Sequence, residues 1–287
     1  MIIEFFGSPG SGKTTFAHAL ARQLREKGYH AKVALSYKPS TRAGSFDLGI
    51  FLFVSRIVSA IFSTARILFS SGGTANLTIS LSLIMLIPPD RRIWRARIWQ
   101  YILRLSYYWK KAEKSPDIII FDQGYVQTIG SLAMFNRGSD SVALAEALSL
   151  APKADLTVRV VVPHAVVETR LRQRMENEPP AERIFEADLD VNMRSFGVFE
   201  AINGILLEFD RKVISVEILD DQSTFERIPV VEQEIISTFL RTDAGLQPKG
   251  TKDRKHATGM QPMLTIVCPR RCHSTCSHSC SKACSNQ

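Results

Sequence analysis

The run Gly7-Ser8-Pro9-Gly10-Ser11-Gly12-Lys13-Thr14 constrains this chain more than any other feature, because it spells G-x-x-x-x-G-K-[ST] in full. At ordinary glycine usage a chance match is on the order of one in a hundred, and the flanks reduce that further. Ile2, Ile3, Glu4, Phe5 and Phe6 form a short, mostly apolar run ended by Gly7, the pattern of a buried strand entering a turn. From Lys13 onward Phe16, Ala17, Leu20, Ala21 and Leu24 recur at helical spacing until Gly28 supplies a stop. Glycines between such a strand and helix let successive backbone N–H groups turn inward toward phosphate oxygens, and the helix N-terminus adds partial positive charge. Lys13 is then placed to reach the β- and γ-phosphates, and the Thr14 hydroxyl to meet Mg²⁺. Gly7, Ser8, Pro9, Gly10, Ser11, Gly12, Lys13, Thr14 and Thr15 are therefore the candidate binding residues for ATP with Mg²⁺.

The rest of the chain supplies a scaffold of the same kind. Further strands are predicted over 31–36, 117–121, 156–162 and 213–218, and helices over 142–149, 165–176, 189–209 and 225–240. Strands alternating with helices predict an α/β fold: five parallel strands with helices on both faces, in three layers.

Between strands two and three lies a large insertion, 37–115, both apolar and basic and expected to be helical on the acceptor side. Leu48 to Phe69 has the length of a membrane span, but Arg56 and Arg66 interrupt it, and Leu77 to Ile87 is too short. Core or interfacial helices are the expectation. Over 91–114, Trp94, Ile98, Tyr101, Leu105 and Trp109 fall on one helical face and Arg97, Gln100, Arg104, Tyr107 and Lys111 on another. This basic amphipathic helix reads as a solvated face over a packed one, with an anion-binding wall or contact with an acidic membrane surface as alternatives.

Two further features carry chemistry. Ile118-Ile119-Ile120-Phe121-Asp122 is an apolar strand ending in a carboxylate, and in open α/β sheets that end faces the ligand crevice. Asp122 is a candidate Mg²⁺ ligand or the base that accepts the acceptor's proton, and both roles stay open. On the helix after strand four, Arg170 and Arg174 share a face while Val167, Leu171 and Met175 form its apolar stripe. Pro179 and Pro180 then break the helix into a polar loop bearing Arg183, the composition of a mobile lid that excludes water and supplies guanidinium groups.

Through GSPGSGKTT, Asp122-Gln123-Gly124, TRLRQR, and AERIFE before a long helix, residues 1–242 resemble the nucleoside and nucleotide kinases of the P-loop class, thymidylate kinases in particular. The resemblance implies a five-stranded parallel sheet, an Asp-Arg pair that supplies an acid and an acceptor-phosphate arginine, and lid arginines that close over ATP. Asp122, Arg170, Arg174 and Arg183 occupy the matching positions. The chain departs from the pattern at Gln123, where the family has Arg, and at Lys38-Pro39, where it has a Glu-Pro pair.

Composition then divides the chain. Of the formal charge of +8, the segment from Leu246 to the end carries seven Lys/Arg against Asp253, net +6, leaving about +2 for the body. Because most of the excess positive charge sits in the tail, the high pI is weak evidence for a nucleic-acid footprint on the folded part, and no specific nucleic acid is expected. All five cysteines, Cys268, Cys272, Cys276, Cys280 and Cys284, lie in that tail, with His273 and His278 interleaved. Their monotonous spacing reads as low complexity, with a metal site as the alternative. Residues 243–287 are thus expected to form a disordered basic tail. A body without cysteine, and no basic n-region before the first strand, point to the cytoplasm. The expected activity is Mg²⁺-dependent transfer of a phosphoryl group from ATP to a small molecule, a nucleotide or nucleoside among the candidates. The alternative is an ATPase that acts as a switch or partner-binding protein. The oligomeric state stays open, a homodimer included.

Overall fold

The computed structural model describes residues 1–36, 73–136, 140–177 and 187–245. Lys38-Pro39, the apolar run 48–69, Pro179, Pro180, Arg183 and the cysteine-bearing tail lie outside the described residues. The described residues all fall within one compact unit, Met1–Leu246.

Five strands, β1 (Ile2–Phe6), β2 (Ala31–Ala34), β3 (Ile118–Phe121), β4 (Leu156–Val161) and β5 (Val213–Glu217), form one sheet in the order β2-β3-β1-β4-β5. Every pairing is parallel, and Ile2, Ile3 and Glu4 of β1 lie beside Ile119, Ile120 and Phe121 of β3. Eight helices are described: α1 (Lys13–Glu26), α2 (Gly73–Leu86), α3 (Arg92–Glu113), α4 (Tyr125–Phe135), α5 (Ser141–Leu150), α6 (His164–Asn177), α7 (Leu189–Glu208) and α8 (Asp221–Gly245).

Alternation along the strands builds the three layers. Ile3 and Phe5 of β1 and Ile118 and Ile120 of β3 point to one face, where they pack with α1, α6 and α8. Ile2, Phe6, Ile119 and Phe121 point to the other, against α2, α3, α4, α5 and α7. Both faces of the central strands are covered, which is why those strands read as mostly apolar runs. Phe5, Phe16, Leu20 and Leu24 are fully buried on the first face, and burial of each such side chain contributes about 1.5–3 kcal/mol.

The expected fold class is the observed one, and α2 and α3 belong to the insertion between β2 and β3. Three local readings need correction. Ala31–Ala34 is shorter than the strand expected over 31–36, and Leu35 leaves extended geometry with φ of +57°. The last helix begins at Asp221, four residues earlier than its apolar pattern, because Asp220 Oδ1 accepts the Ser223 amide at 2.7 Å and caps the start. It also runs through Pro229 to Gly245, past the point where that pattern ends. On α3, Arg97 and Lys111 are exposed as expected, whereas Arg104 is half-buried and its Nε is shielded from solvent. Among the described residues no helix is long and apolar enough to cross a membrane.

Candidate active site

The loop leaving β1 and the residue ending β3 meet because the two strands are parallel neighbours. Gly7, Gly10 and Gly12 take φ of +145°, +77° and +84°, a sequence of conformations open to glycine and strained for other residues. At Gly7 space is also closed: a Cβ there would stand 2.4 Å from the Val160 carbonyl oxygen of β4. Gly12 then leads directly into α1, accepting the Phe16 amide at 2.9 Å.

Lys13 folds back over this loop. Its Nζ donates to the carbonyls of Gly7 at 2.9 Å and Ser8 at 2.8 Å and to Ser11 Oγ at 3.3 Å. Burial brings the ammonium down to about 7, opposed by the negative charge of Asp122. Ser8 and Ser11 are buried with it, while Thr15 faces solvent.

Asp122 is 1% exposed. Its Oδ2 accepts from Thr14 Oγ1 at 2.8 Å and from Ser36 Oγ at 3.0 Å, and Ser36 in turn lies 2.9 Å from His18 Nε2. Its second oxygen, Oδ1, is buried and has no hydrogen-bond partner among the described residues. An unsatisfied carboxylate oxygen beside a threonine hydroxyl is the donor chemistry a hard divalent cation takes, so Thr14 and Asp122 fit Mg²⁺.

Two side chains tie the site to α4, the helix that follows Asp122. Gln127 Oε1 accepts the Gly7 amide at 3.0 Å, and Glu4 Oε2 accepts the Val126 amide at 3.0 Å. Burial pushes the Glu4 carboxyl up to about 7, against the lowering effect of the Val126 amide, the Arg211 charge and the Tyr125 amide. On the insertion side, Tyr101 of α3 donates to the Gln123 carbonyl oxygen. Desolvation, reinforced by Asp122, holds its phenol far above the ordinary range.

The arginines separate. Arg170 is half-buried and its Nη1 lies 4.0 Å from where a Gly12 Cβ would sit, while Val167 and Leu171 of the same helix press on Gly10. An open cleft of about 480 Å³ lies alongside, lined by Ala165, Val166, Thr169 and Arg170 of α6 and Leu219 and Asp220 beyond β5. Arg174 is exposed one turn further along α6, and Arg183 lies outside the described residues.

The motif reading therefore brings together Lys13, Thr14 and Asp122, with Arg170 at the loop. It missed Ser36, His18, Gln127, Glu4 and Tyr101. His18 carried a usable signal, since it follows Thr14 by one helical turn.

No family model matches the chain, and no curated protein matches it. Among solved structures, deoxyadenosine kinase from M. mycoides with bound dCTP is similar at 14% identity over 83% of this chain and 100% of its own, with a TM-score of 0.43. The same kinase with bound dATP gives 13% identity over 82% and 100%, with a TM-score of 0.41. Thymidylate kinase from Ehrlichia chaffeensis gives 17% over 84% and 98%, with a TM-score of 0.40.

Proposed function

We propose that this chain is a phosphotransferase that uses ATP and Mg²⁺ to phosphorylate a small-molecule acceptor of the nucleotide or nucleoside class. The observation that carries the reading is the buried, unpartnered Oδ1 of Asp122 beside the Thr14 hydroxyl, at the mouth of a loop built to receive phosphate. In this reading the loop amides and Lys13 hold the phosphates, Lys13 exchanging its carbonyl partners for phosphate oxygens. Thr14 and Asp122 hold Mg²⁺, which when bound offsets charge on the departing phosphoryl group. Arg170 adds positive charge beside Gly12, and the cleft along α6 receives the part of the nucleotide beyond its phosphates. The acceptor approaches from the side of Asp122 that faces α3 and Tyr101.

Incubation with labelled ATP and a metabolite library should label one class of acceptor, and Lys13→Ala should abolish that transfer. Absence of any heat of binding for ATP or GTP in the presence of Mg²⁺ overturns the reading. A second reading, an ATPase without an acceptor, is favoured by Gln123, an exposed amide directly after Asp122 with no guanidinium in its place. Phosphate release with no labelled acceptor, stimulated by a protein or membrane partner, selects it.

A further inference from the structure

Glu4 is a carboxylic acid in the middle of the central strand, fully buried, in a run otherwise wholly apolar. Nothing in the phosphate-loop chemistry uses it. Its surroundings account for it as an anchor. The first amides of any helix lack intrahelical partners, and Gly124 at the start of α4 has no side chain to supply an acceptor. Glu4 supplies one from a neighbouring element, through Oε2 to the Val126 amide at 3.0 Å. The approach requires glycine at 124, where a Cβ would stand 2.3 Å from the same oxygen.

One residue further along α4, the side chain of Gln127 returns to the strand that bears Glu4, accepting the Gly7 amide at 3.0 Å. Gln127 is itself buried. The circuit is closed: β1 holds α4 through Glu4, and α4 holds the end of β1 through Gln127. Asp122 stands at one end of the circuit, between β3 and the anchored turn, and the phosphate loop stands at the other.

We propose that Glu4 is a positioning residue, which fastens the first turn of α4 to the central strand and thereby fixes the Asp122 turn and the first glycine of the phosphate loop relative to each other. The consequence for nucleotide binding rests on the function proposed above; the fastening itself does not. Arg211 is the buried cation whose charge acts on Glu4, and its Nη2 is held by the Leu148 and Ala151 carbonyls. The hydrogen bond to Val126 needs only an acceptor oxygen, so an amide at position 4 serves as well as a carboxylate.

The test compares the full chain with Glu4→Leu and Glu4→Gln, by amide hydrogen exchange at Val126 and Gly7 without nucleotide and by calorimetry with ATP and Mg²⁺. Glu4→Leu should speed exchange at both amides roughly tenfold or more and weaken nucleotide binding by a similar factor. Glu4→Gln should restore protection and affinity to near the native values, which a role for the charge alone does not predict. Unchanged exchange at Val126 and Gly7 in Glu4→Leu overturns the proposal, as does failure of Glu4→Gln to restore it. If Glu4→Leu does not fold, Gln127→Ala reads the other half: the Gly7 amide should lose protection while Val126 keeps it, and a protected Gly7 amide overturns the proposal. Native protein that binds no nucleotide removes the function proposed above and leaves the exchange comparison standing.

Discussion

Two glycines with positive φ separate what the glycine-rich loop after β1 requires from what a turn requires. At Gly7, φ is +145° and a Cβ would overlap a β4 carbonyl; at Gly28, φ is +88° with nothing within 4 Å. Gly28→Ala should therefore cost only the backbone strain, about 1–2 kcal/mol in urea unfolding, and leave nucleotide affinity alone. Gly7→Ala adds a backbone collision that no rotamer relieves, and calorimetry should show affinity for ATP with Mg²⁺ falling by roughly two orders of magnitude or more. Glu4 gives a pH signature. Its carboxyl stands at about 7 in the folded protein against an ordinary 4.5, so between those values the native state holds a proton that the unfolded chain has released. Stability should therefore fall as pH rises from about 4.5 to 7, by up to roughly 3 kcal/mol for this one group. Glu4→Gln should remove that slope from a series of denaturation curves. Lys13, Thr14 and Asp122 were legible in the sequence because motif spacing or a strand end marks them. Ser36, Gln127 and Glu4 were not, because their partners lie 86, 120 and 122 residues away in sequence and no local pattern encodes such a bond.

Among the elements, α4 and α7 pack so closely that one residue sets their separation. A Cβ at Gly130 would stand 2.3 Å from Cε1 of Phe199, a buried ring that also lies tilted against Phe6. Alanine is the better helix former by about 1 kcal/mol, yet overpacking of this kind costs about 1–3 kcal/mol, so Gly130→Ala should be net destabilising in thermal or urea unfolding. Phe199→Leu should recover part of the loss in the double variant, an interaction that a double-mutant cycle measures directly. The strands were legible as apolar runs and the helices as 3.6-residue periods, which is why the layers were expected correctly. Strand order was not legible, since periodicity states which face of a strand is apolar and not which strand lies beside it. The basic face of α3 misled in part for the same reason. Arg104 has the spacing of a solvated residue, but neighbouring elements shield its Nε in the fold.

For the whole molecule, the division after Leu246 coincides with a division of charge. The compact unit Met1–Leu246 carries about +2 of the formal +8, and Gln247–Gln287 carries seven cations against one acid. The sheet, both apolar cores and every described site residue belong to the compact unit. A chain ended at Leu246 should accordingly keep its affinity for ATP with Mg²⁺ and its melting temperature to within about 2 °C, a shift below that of a typical single core substitution. It should lose whatever nonspecific affinity the full chain has for duplex DNA. If all seven cations of the segment 247–287 engage phosphates, a plot of log affinity against log salt for the full chain has a slope of about −6. Fluorescence anisotropy across a salt series reads that slope, and the shortened chain should show one near zero. A steep slope that survives the deletion would instead place the cationic surface on the folded unit, where the arginines of α3 are the largest concentration of positive charge among the described residues. The comparison therefore decides whether nonspecific affinity for phosphate resides in the folded unit or in the tail.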